Sequence, residues 1–132
     1  MALYAYTQST QAVSAGGTVS FSASQRCGRS AVLDGNSVAL TTPGVYRFEA
    51  SFTGTTDAVG TLAIQAQSNG ADVSGAYAAA TIAAVGDSAN LGMTFLVRVG
   101  QCGCWNRNAV AFVNSGDDAT LDNAAVTVTR IG

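Results

Sequence analysis

Strict two-residue alternation of apolar and polar side chains constrains this chain more than any other feature. Its clearest run follows a Pro-Gly turn, from Gly44 to Thr53. Tyr46, Phe48, Ala50 and Phe52 fall on one face; Val45, Arg47, Glu49, Ser51 and Thr53 fall on the other. Successive side chains of a strand point to opposite faces, so the pattern predicts a strand with one face packed on a core. The same alternation returns at the end of the chain, from Leu121 to Ile131.

Shorter candidates are spaced as in a sandwich or barrel. They are Leu3–Gln8, Thr18–Ala23, Ala31–Leu33 and Ser37–Leu40. Asp34-Gly35-Asn36 between the last two is a hairpin signal. Residues 54–60 are predicted as a loop. Leu62, Ile64 and Ala66 alternate with Ala63, Gln65 and Gln67, and Ser68-Asn69-Gly70 turns again. Tyr77–Val85 is ambiguous: Ala78-Ala79-Ala80 favours helix by propensity, while its β-branched residues and bounding glycines favour strand. Strand is the expectation, because every neighbour is strand. Leu91, Met93, Phe95, Val97 and Val99 share a face; residues 100–107 form a loop; Asn108–Asn114 is a further strand. The expected fold is all-β, a jelly-roll β-sandwich of about ten strands in one domain, 1–132.

Composition bears on assembly. Charged residues are 11 % of the chain and hydrophobic ones 48 %, whereas soluble surfaces carry about a quarter to a third charge. The missing polar cover points to surface hidden by other subunits. The bland reading is a surface rich in Ser, Thr, Asn and Gln, which the chain also has. A formal net charge of −2 with six scattered arginines makes no basic stripe, so nucleic acid is not an expected partner. No apolar stretch reaches the roughly 20 residues that span a bilayer as a helix, so no membrane is expected. The first residues lack the n-region and h-region of a secretory signal, so folding in the cytoplasm of a bacterial host is the expectation.

The chemical repertoire is thin. There is no histidine and no lysine, which removes the usual proton-shuttling base, the Schiff-base amine and the phosphate-binding lysine. No enzyme and no cofactor are expected. Cys27, Cys102 and Cys104 are candidate structural thiols. Reduced thiols are the leading reading. A disulfide from Cys27 to Cys102 or Cys104 is a second; a metal site, short of the usual four Cys or His ligands, is a third. Asp117, Asp118 and Asp122 could collect Ca²⁺, or they are simply turn residues. Glu49 is expected to pair with Arg47 on one face. Trp105 and Arg107 are the candidate partner-binding residues, since Trp and Arg recur as hot spots and sandwich loops bind ligands.

Pro43-Gly44-Val45-Tyr46-Arg47-Phe48 with its alternating strand resembles the early part of tumour-necrosis-factor-like and complement-globular-head-like jelly rolls. Phe95–Val99, Ala111–Gly116 and Ala125–Ile131 resemble their bacterial members, among them the C-terminal domains of collagen-like exosporium glycoproteins and small structural proteins of phages. The likeness covers residues 31–132. It implies a compact homotrimer that binds or decorates without catalysis. The chain lacks the Gly-X-Y stalk of the exosporium proteins, which favours a virion component, with other virion proteins or a surface glycan as further partners. The outer face of one sheet, from strands near 44–53, 91–99 and 121–131, is expected at the threefold axis. The alternatives are a carbohydrate-binding module, with Tyr4, Tyr6, Tyr46, Tyr77 or Trp105 stacking on sugars, and a spore-surface or cytokine-like ligand.

Overall fold

The computed structural model describes residues 2–7, 9–100 and 108–132. Eleven strands make two antiparallel sheets: β1 Ala2–Tyr6, β2 Gln11–Val13, β3 Ala23–Cys27, β4 Ala31–Asp34, β5 Ser37–Leu40, β6 Gly44–Thr56, β7 Gly60–Ser68, β8 Ala71–Ile82, β9 Ala89–Val99, β10 Asn108–Asn114 and β11 Ala119–Arg130. No helix occurs among the described residues. The six-stranded sheet runs β3-β1-β11-β6-β9, with β2 beside the start of β11; the five-stranded sheet runs β4-β5-β10-β7-β8. The fold is the tumour-necrosis-factor-like jelly roll that the sequence leads one to expect.

Alternation accounts for the core. β6 buries Tyr46, Phe48, Ala50 and Phe52, and β9 buries Leu91, Met93, Phe95, Val97 and Val99. Phe48 faces Phe95 across the ladder, their rings stacked with centroids 5.0 Å apart. From the opposite sheet Phe112 reaches Phe52 at 5.3 Å and Phe95 at 6.1 Å, and Phe21 meets it edge-on at 6.0 Å. One side chain thus joins both sheets. Burying such a ring stabilises by about 2–3 kcal/mol. The β7–β8 hairpin turns on Asn69 (φ 52°) and Gly70 (φ 85°). Two consecutive positive φ values suit the right-handed twist of the flanking strands, and Asn-Gly is the pair that adopts them at least cost.

Several elements differ from the sequence reading. Residues 71–82 form one strand, so sheet context overrides the helical propensity of the alanine run. That strand ends at Ile82, short of the expected Val85. β6 extends to Thr56 because β11 keeps pairing with it as far as Ala119, and this shortens the expected 54–60 loop. Thr18–Ala23 is a connection, with one bridge from Thr18 to Val113. Val19 and Phe21 do enter the core, but the backbone here is held piecemeal: Val19 N–H donates to Phe112 O, and Ser20 N–H to the Gln11 side chain. The strand instead lies at Ala23–Cys27, beyond the expected segment. Its side chains are mostly polar and exposed, and backbone pairing with β1 holds it. The first strand stops at Tyr6, and β2 adds a short strand that the sequence reading lacks.

Candidate interaction surface

The outer face of the six-stranded sheet is a grid whose rows cross the strands. One row is Cys27, Ala2, Thr129, Arg47 and Leu96; the next is Gln25, Tyr4, Thr127, Glu49 and Thr94; the third is Ala23, Tyr6, Ala125, Ser51 and Gly92. The strands expected at an assembly axis, β6, β9 and β11, are therefore direct neighbours in one sheet. Their outward positions are small at Ala125, Ser51 and Gly92 and long at Arg47, Glu49, Leu96 and Arg98. Ala125, Ser51 and Gly92 of the third row line a shallow trough together with Glu49, Thr94 and Thr127.

Ionic character is concentrated in one contact. Arg47 donates to Glu49 two residues along β6, the same-face pair that alternation predicts, and it is the one ion pair among the described residues. Both side chains are about half exposed, so the pair contributes at most about 1 kcal/mol. Large apolar groups stand out at two places on the grid, Leu96 at the β9 end and Tyr4 on β1. Leu96 is 56 % exposed, and Tyr4 is 43 % exposed with its ring stacked on Tyr6 at 4.9 Å. Large exposed apolar groups beside a small-residue floor are features of a surface that another molecule covers.

The sequence-derived site residues fare differently. Cys102, Cys104, Trp105 and Arg107 lie outside the described residues. Cys27 is exposed at the end of β3 with a free thiol. It lies at the same end of the sandwich where β9 finishes at Val99 and β10 starts at Asn108. Tyr46, considered above as a sugar-stacking ring, is fully buried, and its hydroxyl donates to Thr42 O at 2.6 Å. It is a core residue, since alternation places it inward. Tyr77 is exposed on β8 of the other sheet.

Asp117 and Asp118 brace a corner. Asp117 Oδ2 accepts the Thr61 N–H at 2.8 Å, and Asp118 Oδ1 accepts the Ala15 N–H at 2.8 Å. Asp122 stands apart, exposed at the bulge of β11. The turn reading thus describes Asp117 and Asp118, and no group of three His, Cys, Asp or Glu side chains converges among the described residues. The centre of this corner is Asn114, fully buried. Its amide donates to Val13 O at 2.9 Å and to Asp117 O at 2.8 Å, and its carbonyl accepts the Gly116 N–H at 3.0 Å. The sequence signal was an inward-facing Asn closing an apolar strand, just before a Ser-Gly-Asp-Asp turn.

The class defined by this fold is the tumour-necrosis-factor-like jelly roll. No protein-family model and no curated protein matches the chain. Among solved structures, the Eiger tumour necrosis factor of S. frugiperda superposes with a TM-score of 0.77 at 12 % identity, covering 100 % of this chain and 92 % of that one. Murine APRIL gives 0.75 at 11 % identity, covering 99 % and 100 %. The PRD1 vertex protein P5 gives 0.60 at 11 % identity, covering 99 % and 96 %. At such identities the likeness is one of fold.

Proposed function

We propose that the chain is a one-domain, non-catalytic structural or surface module that assembles as a homotrimer and serves on a virion as a decoration, fibre or attachment component. The observation that carries this reading is the outer face of β11, β6 and β9. It is broad, has a floor of small residues at Ser51, Gly92 and Ala125, and carries the Arg47–Glu49 pair and Arg98 beside exposed Leu96 and Tyr4. Such a face buries well against another copy, and closed cyclic symmetry is the common outcome for identical chains. The virion assignment draws support from the fold shared with the PRD1 vertex protein. The lack of His and Lys favours binding over turnover. Trp105 and Arg107 remain the partner contact that residue chemistry nominates.

Light scattering at micromolar concentration is expected to give three times the chain mass of 13.2 kDa. Gly92→Arg is expected to return the chain to a folded monomer, because a side chain there projects from the trough floor and meets no atom nearer than Ala50 O at 4.0 Å. A monomeric wild type, or a Gly92→Arg variant that stays trimeric, defeats the assembly reading. Absence of the chain from purified particles defeats the virion reading.

A second reading, carbohydrate binding, draws on exposed Tyr4, whose ring stacks on half-buried Tyr6. A glycan array separates it: a hit lost in Tyr4→Ala favours sugar recognition on this face.

A further inference from the structure

Charge is sorted by sign along the strands. β6 runs the height of the sandwich, about 40 Å for its length. Gly44 begins it beside Val99, and Thr56 ends it beside Ala119. Arg98 and Arg130 lie within two residues of its first end, across from Val45 and Tyr46. Arg29 sits in the turn that enters β4, where its carbonyl accepts from Thr41 Oγ1, and Arg26 lies on the lower part of β3 opposite Leu3. All four are exposed. None forms an ion pair among the described residues, since the one such pair is Arg47–Glu49.

The other end carries the acids. Asp57 follows β6, and its N–H donates to Asp118 O. Asp117 and Asp118 lie in the turn before β11, Asp122 lies on its bulge, and Asp87 lies in the turn from β8 to β9. No described arginine is at this end. Asp34 and Asp72 break the sorting. They sit on the lower part of the five-stranded sheet, where Asp72 accepts from Gln67. In a chain only 11 % charged, this leaves an acidic end of five carboxylates, two of which accept backbone N–H groups, and an opposite end of four arginines without ion-pair partners among the described residues, of which Arg130 donates to Pro43 O.

We propose that these two ends are complementary docking surfaces, through which copies of this chain associate head to tail. The partner is argued from charge complementarity: the surface that matches the arginine end is carried by the same chain. A heterologous contact of this kind does not close on itself and builds open stacks. The contact is made of exposed charges, so it is weak and screened by salt. The Debye length falls from about 30 Å at 0.01 M to about 8 Å at 0.15 M salt. The inference is separable from the proposed trimer, because the residues substituted to test it, Arg26, Arg29, Asp57 and Asp87, lie outside strands β6, β9 and β11.

Sedimentation across protein concentration and ionic strength tests it. The mass at about 0.5 M salt, where end-to-end contacts are screened, defines the basal state and separately tests the trimer. At about 0.01 M salt the average mass is expected to exceed that plateau and to rise with protein concentration. Arg26→Glu with Arg29→Glu, and separately Asp57→Arg with Asp87→Arg, are each expected to stay at the plateau. With neutral substitutions in place of the reversals, Arg26→Gln with Arg29→Gln mixed in equal amounts with Asp57→Asn with Asp87→Asn, each variant retains one charged end, so the mixture is expected to reach a doubled mass and stop. Wild-type mass that does not change with salt overturns the proposal, as does growth that survives both double substitutions or a mixture that stays at the plateau. Constant wild-type mass together with salt-sensitive retention on poly-glutamate beads overturns it in favour of a foreign acidic partner.

Discussion

The corner around Asn114 and the outer face of the six-stranded sheet draw on the same small and polar residue types, with opposite results. At the corner, the polar groups described above are bonded to one another. The Asn114 amide meets Val13 O and Asp117 O, and the Asp117 and Asp118 carboxylates hold backbone N–H groups of distant segments. On the face, the short side chains of Ala125, Ser51 and Gly92 leave an open trough. Burial and hydrogen bonding, not residue type, separate a structural knot from an available surface. A row of serine, alanine and glycine is informative only once it is known which atoms already have partners.

Three substitutions press on that contrast. Asn114→Ala is expected to have the largest effect. It strips partners from Val13 O, Asp117 O and the Gly116 N–H at a buried site, and each such loss costs about 1–3 kcal/mol. A total near 3 kcal/mol by urea denaturation is expected; a loss below about 1 kcal/mol would mean that water replaces the amide and that the corner is no knot. Gly116→Ala comes next. Its new Cβ would lie 2.3 Å from Thr61 O and 2.9 Å from Ala63 N, both backbone atoms of β7. Such overpacking costs about 2 kcal/mol. An unchanged denaturation midpoint would show that the turn moves freely. Gly92→Ala should have the smallest effect. A Cβ there has room, and replacing a strand glycine stabilises by about 0.5–1 kcal/mol. A loss above about 2 kcal/mol at the same chain concentration would mean that the neighbouring copy packs too tightly on the trough floor to admit one methyl group.

The contrast also explains which parts of the molecule were legible in advance. Alternation marked the core faces of β6 and β9, because burial on one side of a strand requires a period of two; in β11 the bulge between Leu121 and Asn123 shifts that period, so Leu121 and then Ala124, Val126 and Val128 are buried while Ile131 is exposed. The hairpin at Gly35–Asn36 and the turn at Asn69-Gly70 were legible for a local reason, since their backbone geometry selects those residues. β3 was not legible, because a polar edge strand is held by backbone pairing that any sequence can make. Thr18–Ala23 misled in the opposite direction. Val19 and Phe21 are buried, and alternation reports burial rather than a continuous ladder.

For the functional surface the division is sharper. The sequence by itself determined that this chain makes two-faced strands, that its charges are few, and that the usual catalytic bases are missing. These are properties of residue type and spacing. Tertiary structure decided that β6, β9 and β11 lie side by side, so that three separate polar faces become one surface. It also decided that Tyr4 is exposed and stacked on Tyr6, and that five carboxylates scattered from Asp57 to Asp122 gather at one end. Pairing between strands distant in sequence sets those positions, and no local pattern encodes which strand a given strand will meet.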